Sequence, residues 1–95
     1  MRTIKRSGQF KADFKKAKAN PRYFTDIDNL LAAAVTLLAT DQSLPAQYRD
    51  HELAGDWKKH RECHIKPDLL LIYNKPDDAT LRLVRLGSHS NLFKK

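Results

Sequence analysis

The chain has 95 residues, enough for one domain over residues 1–95 with one modest core and too few for two. Its apolar runs, Leu30 to Ala39 and Leu69 to Tyr73, fall far short of the about 20 residues needed to span a bilayer, so no membrane partner is expected. The formal net charge of +7 is unevenly spread: residues 1–20 carry seven basic side chains against one acid, Asp13, the next thirty are slightly acidic, and residues 51–95 are basic again. That footprint favours nucleic acid or another polyanion, although lysines also serve solubility. The start, Met1 to Arg6, has no apolar segment of the secretory kind, and the single cysteine, Cys63, excludes an internal disulfide framework, so a reducing cytoplasm is expected.

Residues 2–6 are a plausible short edge strand. Ser7 can cap a helix over about residues 8–19, on which Phe10, Phe14 and Ala17 recur at helical spacing while Lys11, Lys15, Lys16 and Lys18 point elsewhere. Asn20-Pro21 breaks it, and Thr25 or Asp26 opens a second helix to about Thr40, with Ile27, Leu30, Leu31, Ala34, Leu37 and Leu38 as its apolar stripe. These two read as a helical hairpin. Residues 41–56 read as loop. From Trp57 to Ile65 the pattern alternates, with Trp57, Lys59, Arg61, Cys63 and Ile65 on one face and Lys58, His60, Glu62 and His64 on the other, which predicts a strand. Leu69 to Tyr73 is an apolar run suited to a central strand covered on both faces. Asn74 to Asp78 is a turn, and Thr80 to Leu86 a further strand ended by Gly87-Ser88. Helices first and consecutive antiparallel strands after them give an α+β layout, the hairpin packed on one face of a small, mainly antiparallel sheet.

Candidate chemistry sits at the ends of these elements. His51 lies in the loop before the strands, His64 near the end of the first long strand, Asp68 at the opening of the next, and His89 after the last. Histidine, with an unperturbed pKa of about 6.5, both takes and gives a proton near neutral pH. Three of them with a carboxylate on a cationic domain point to acid–base work on a polyanion, and RNA carries its own nucleophile in the 2′-hydroxyl. Arg61 and Arg85 could clamp phosphate with their planar forks, though Arg85 also fits a surface strand position. Phe93 either stacks on an unpaired base or docks the chain end on the core. A metal is not expected: His60 and His64 on a strand would stand about 13 Å apart, too far to share a zinc ion. No cofactor is expected either. Cys63 shares a face with Trp57 and Ile65 and reads as a small buried hydrophobe.

At these residues the chain resembles the RelE superfamily of toxins from type II toxin–antitoxin pairs, closest to its YafQ branch. The matching segments are Asp50-His51-Glu-Leu-Ala-Gly55-Asp-Trp57, Arg61-Glu-Cys-His64-Ile-Lys-Pro67-Asp68-Leu-Leu-Leu-Ile-Tyr73 and Arg85-Leu-Gly87-Ser88-His89-Ser-Asn-Leu92-Phe93, with Tyr48-Arg49 and the helical hairpin in agreement. The resemblance covers essentially the whole chain. It implies a compact microbial-RNase-like α+β fold and a ribosome-dependent mRNA endonuclease that cuts the codon in the A site. Carried over, the site falls on His51, His64, Asp68 and His89, with Phe93 aiding mRNA placement and Arg85 suited to phosphate. His89 is then expected as principal acid or base, His51 or Asp68 as its opposite, and His64 as an orienting or charge-stabilising group. Lys11, Lys15, Lys16 and Lys18 would contact ribosomal RNA, and Lys94-Lys95 would add a phosphate contact or nothing. His60 is not required by the pattern. The resemblance also implies a small cognate antitoxin that neutralises the toxin and carries the contact with operator DNA. A non-catalytic basic module for RNA or DNA, or a degenerate toxin kept as antitoxin partner, are the competing readings, separated from the first by an activity assay.

Overall fold

A computed structural model describes residues 1–93 of the chain; Lys94 and Lys95 lie outside the described residues. Five strands, β1 (Thr3–Arg6), β2 (His51–Glu52), β3 (Arg61–Lys66), β4 (Leu69–Asn74) and β5 (Thr80–Gly87), form one sheet in the order β1-β5-β4-β3-β2. Helices α1 (Gly8–Ala19) and α2 (Ile27–Ala39) precede the hairpins, and a one-turn helix α3 (His89–Leu92) follows them. The β2–β3, β3–β4 and β4–β5 pairs are antiparallel, while β1 lies parallel to β5 at the far edge. The α+β layout read from the sequence therefore holds, with one parallel pair added by the chain's return to β1.

Helix α1 starts where local chemistry says it should. Ser7 Oγ accepts the Phe10 N–H at 2.9 Å and donates to the Val84 carbonyl at 2.7 Å, so the cap also ties the helix to β5. Phe10 and Ala17 are buried, and Lys16 and Lys18 lie in the last turn, where cations favour the helix dipole. Asp26 precedes α2, whose Ile27, Leu31, Ala34, Val35, Leu38 and Ala39 are buried. Both helices pack on one face of the sheet, against Cys63, Ile65, Leu69, Leu71, Tyr73, Leu81, Leu83 and Leu86.

Strand β4 is central and buried along Leu69–Tyr73, as its apolar run predicts. Leu70 and Ile72 point away from the helices into a second, smaller cluster with Val84 and Leu92, edged by Leu53, Trp57 and Phe93. That cluster is roofed by α3, which sits close on the end of β5: a Cβ on Gly87 would come within 3.2 Å of the Leu92 side chain.

The expected strand from Trp57 is corrected to one that begins at Arg61. Gly55–Trp57 is a 3₁₀ turn and Lys59 has φ of 70°, a left-handed kink that breaks the alternation. Trp57 therefore joins the cluster on the opposite face from Cys63 and Ile65, not theirs. The expected loop over residues 41–56 also holds a 3₁₀ turn at Ala46–Tyr48 and the two-residue strand β2. No helix among the described residues is long and apolar enough to cross a membrane.

Candidate active site

Alternation along β3 sends Cys63 and Ile65 to the helices and leaves Glu62 and His64 on the other face. Register pairs His51 of β2 with Glu62. Three side chains meet as a result: Glu62 Oε2 lies 3.3 Å from His51 Nε2 and 3.8 Å from His64 Nε2. The Glu62 side chain is only 6% exposed, against 51% for His51, and its Oε1 has no hydrogen-bond partner among the described residues. A buried carboxylate is costly to desolvate, and the imidazoles of His51 and His64 are the polar groups nearest its Oε2. The other nitrogen of His51, Nδ1, is 2.7 Å from the Arg49 carbonyl, so oxygens lie near both ring nitrogens. Alternation puts Glu62 on the face of His64, but nothing in its type or spacing marks it out from an ordinary polar strand residue.

The tight turn between β3 and β4 carries Asp68. Its Oδ2 accepts the Tyr23 hydroxyl at 3.1 Å and lies 3.2 Å from Arg22 Nη1, both from the segment joining α1 to α2. Burial and this hydrogen bond push the Tyr23 phenol above its ordinary pKa, keeping it a donor. Asp68 Oδ1 has no protein hydrogen bond among the described residues. Register then sets the layout: His64 pairs with Leu70, and Leu70 with Gly87. Two strand spacings, about 10 Å, separate His64 from Gly87. Asp68 lies two residues before the middle of this row and His89 two residues beyond its end. His89 opens α3, exposed, its ring 4.8 Å from the ring of Phe93, which also meets Trp57 edge-on at 6.5 Å. Phe93 thus docks on the core with one side and leaves itself half-buried.

The two arginines are less free than the sequence suggests. Arg85 Nε and Nη2 bind Asp13 of α1 at 2.7 and 3.1 Å, and Asp13 also accepts the Leu86 N–H at 3.0 Å. Where β1 stops, Asp13 therefore takes over the open edge of β5, and its hydrogen bond holds the Arg85 guanidinium charged. Arg61 binds Asp50 through Nη2 at 3.2 Å, and Tyr73 donates to the same carboxylate at 2.6 Å. Burial works against the Arg61 charge, but these hydrogen bonds outweigh it and keep the guanidinium firmly protonated. This unit lies beyond the helix-facing side of β3 and braces β2 against β3 and β4, so Arg61 is committed to structure. Of the helix lysines, Lys11, Lys15 and Lys16 are exposed, and Lys18 pairs with Asp28 at 3.0 Å. Burial pushes the Cys63 thiol up to about 12, which leaves it no nucleophile. His60 stands ahead of β3, not on it as expected, with its ring edge-on to Trp57 and Nδ1 on the Lys58 carbonyl at 3.1 Å.

Comparison with known proteins identifies the family of the whole chain. A family described as "Bacterial toxin of type II toxin-antitoxin system, YafQ" matches residues 2–94. The mRNA interferase toxin YafQ of Escherichia coli K12 is 40% identical over 92 residues, covering 97% of this chain and 96% of the relative. The metal-bound toxin from Helicobacter pylori superposes with a TM-score of 0.86 at 50% identity, covering 98% of this chain and all of the other. In this chain, no three His, Cys, Asp or Glu side chains among the described residues are placed as a metal-ligand set. YafQ in the E. coli DinJ-YafQ complex superposes with a TM-score of 0.82 at 40% identity, covering 98% of this chain and 99% of that one. The family match and the curated relative both extend over nearly the whole length, and the chain belongs to the YafQ family of bacterial type II toxins.

Proposed function

We propose that this endoribonuclease of the mRNA interferase class cuts mRNA in the ribosomal A site by acid–base chemistry on its own side chains, and that a cognate antitoxin holds it in check. The base removes the 2′-hydroxyl proton, the 2′-oxygen attacks the adjacent phosphorus, and the acid gives its proton to the leaving 5′-oxygen. The products are a 2′,3′-cyclic phosphate and a free 5′-hydroxyl.

The observation that carries this reading is the gathering of titratable groups at one end of β3, β4 and β5. Within it, engagement by neighbours separates the roles. His89 is exposed, and among the described residues no hydrogen bond to its ring ties up either nitrogen, which supports it as the acid. Asp68 keeps Oδ1 unengaged while Arg22 and Tyr23 fix its other oxygen, which supports it over His51 as the base. His51 and His64, anchored on Glu62, suit charge stabilisation at the phosphoryl oxygens, and Arg85 retains Nη1 for the same task. Phe93, backed by Trp57, suits stacking on an unpaired base. Lys11 and Lys15 suit ribosomal RNA, and contact with operator DNA falls to the antitoxin.

The DinJ-YafQ complex of the E. coli relative supports an antitoxin partner here. Primer extension on translated mRNA after brief induction should show in-frame cuts, absent when the antitoxin is co-expressed. Purified protein cutting naked mRNA as fast as ribosome-bound mRNA would overturn ribosome dependence, and no cut in either would overturn the reading.

A further inference from the structure

Next to the candidate site lies a groove that shares Arg22 and Arg85 with it but whose other walls have no role so far. It has a volume of about 370 Å³ and runs between the α1–α2 junction and the end of β5, with Lys16, Arg22 and Arg85 on its walls and Ser88 and Asn91 at one end. The walls hold three cations against one carboxylate, Asp13, and Arg85 already neutralises that carboxylate. Arg22 reaches Asp68 through Nη1 beside the Tyr23 hydroxyl, its side chain is 72% exposed, and Asp68 is its one acidic partner among the described residues. Lys16 has no acidic partner among the described residues, in contrast to Lys18 on Asp28. Ser88, in the groove's lining, is the residue directly before His89, the proposed acid.

We infer that this groove is a phosphate subsite for the mRNA strand, holding a phosphodiester next to the one that is cut, with Lys16 and Arg22 as its binding cations. The inference rests on the endonuclease reading and deepens it. The groove is polar and open, cationic on balance, and has hydroxyl and amide side chains at the end nearest His89, which suits a hydrated anionic backbone better than an apolar ligand. Arg22 joins the two parts: one edge of its guanidinium orients Asp68 and the other meets the neighbouring phosphate, so strand placement and the position of the base are set together. Lys16 is thereby separated from Lys11 and Lys15, which lie outside the groove.

The test is binding of a 2′-O-methyl RNA trinucleotide, which cannot be cut, followed by amide chemical shifts and by fluorescence anisotropy across a salt series. Shifts should concentrate on Lys16, Arg22, Ser88 and Asn91. Lys16→Ala and Arg22→Ala should each weaken binding about 3- to 10-fold and flatten the salt dependence by about 0.7 in the log–log slope, the single-strand value per phosphate contact. Arg82→Ala, an exposed cation on the opposite half of β5, should change neither. Equal weakening by Arg82→Ala, or shifts spread over the basic surface, would mean diffuse charge attraction and would overturn the subsite. Arg22→Lys should restore phosphate binding but not the cutting rate, because a lysine cannot hold Asp68 and a phosphate with one planar fork. Localised shifts in a wild-type protein that cuts no mRNA would sink the endonuclease reading and leave the subsite standing, so the two failures are distinct.

Discussion

The two faces of the sheet use the same three strands for opposite purposes. On the helix face, Cys63, Leu71, Leu81 and Ile27 are fully buried in a continuous apolar layer with no titratable group at work in it. On the other face the apolar cluster is small, roofed by one turn of helix, and beside it Glu62 is buried with one oxygen unsatisfied and two histidines around the other. Period-2 alternation makes this division possible: neighbouring residues Glu62 and Cys63 face the candidate site and the apolar layer respectively. Strain and cost collect on the thinly covered face because the thickly covered one provides the stability.

The sharpest way to break that comparison is His89→Ala. Removing the proposed acid should slow mRNA cleavage about 100- to 10,000-fold, while the melting temperature stays put because His89 is exposed at the start of α3. Wild-type growth arrest from this variant would remove His89 from the mechanism. The matching change on the other face is Leu71→Ala, at a fully buried position of the central strand. It should cost about 2–5 kcal/mol of stability, read as a lower urea midpoint, with cleavage per folded molecule unchanged. A loss of specific activity in the fraction that remains folded would show that the two faces are not separable.

The legibility of the sequence followed the same division. Helices α1 and α2 were readable to within a residue or two because their stripes face one large apolar layer and Ser7 and Asn20-Pro21 mark the ends of α1. The run Leu69–Tyr73 announced a strand covered on both sides. What failed lies on the thin face and at its edges. Lys59 in a left-handed conformation carries no sequence signal stronger than alternation, so alternation begins β3 too early and puts Trp57 on the wrong face. A strand of two residues, His51–Glu52, is below what any period can reveal. The pairing of β1 with β5 joins residues almost eighty apart and is invisible to local reading. In the site, the histidines were legible as residue types, but Asp13 on Arg85 and Asp50 on Arg61 are tertiary partners, and Glu62 looked like an ordinary polar strand residue.

Glu62→Gln sharpens the comparison from within the thin face. The side chain keeps its size but loses the charge that anchors His51 and His64. Misplacement of catalytic groups by around 1 Å costs on the order of 100-fold, so a drop of about 10- to 100-fold in cleavage is expected. Stability should hold, because the side chain keeps its size and Oε1 has no hydrogen bond to lose among the described residues. Thermal melts beside primer extension decide it, and a clear fall in melting temperature would recast Glu62 as part of the core.

The smallest expected effect belongs to Ser7→Ala, and it probes the strand both faces share. Ser7 Oγ accepts from Phe10 N–H and donates to the Val84 carbonyl, so it caps α1 and pins it to β5 directly before Arg85. Loss of a helix cap costs about 1 kcal/mol, and the Val84 carbonyl loses a donor in a partly buried place. A drop in urea midpoint of that size, with cleavage unchanged, is what two separable faces require. If cleavage instead fell well beyond the stability loss, the cap would be setting the position of Arg85 through β5. The helix face would then be shaping the site as well as supporting it.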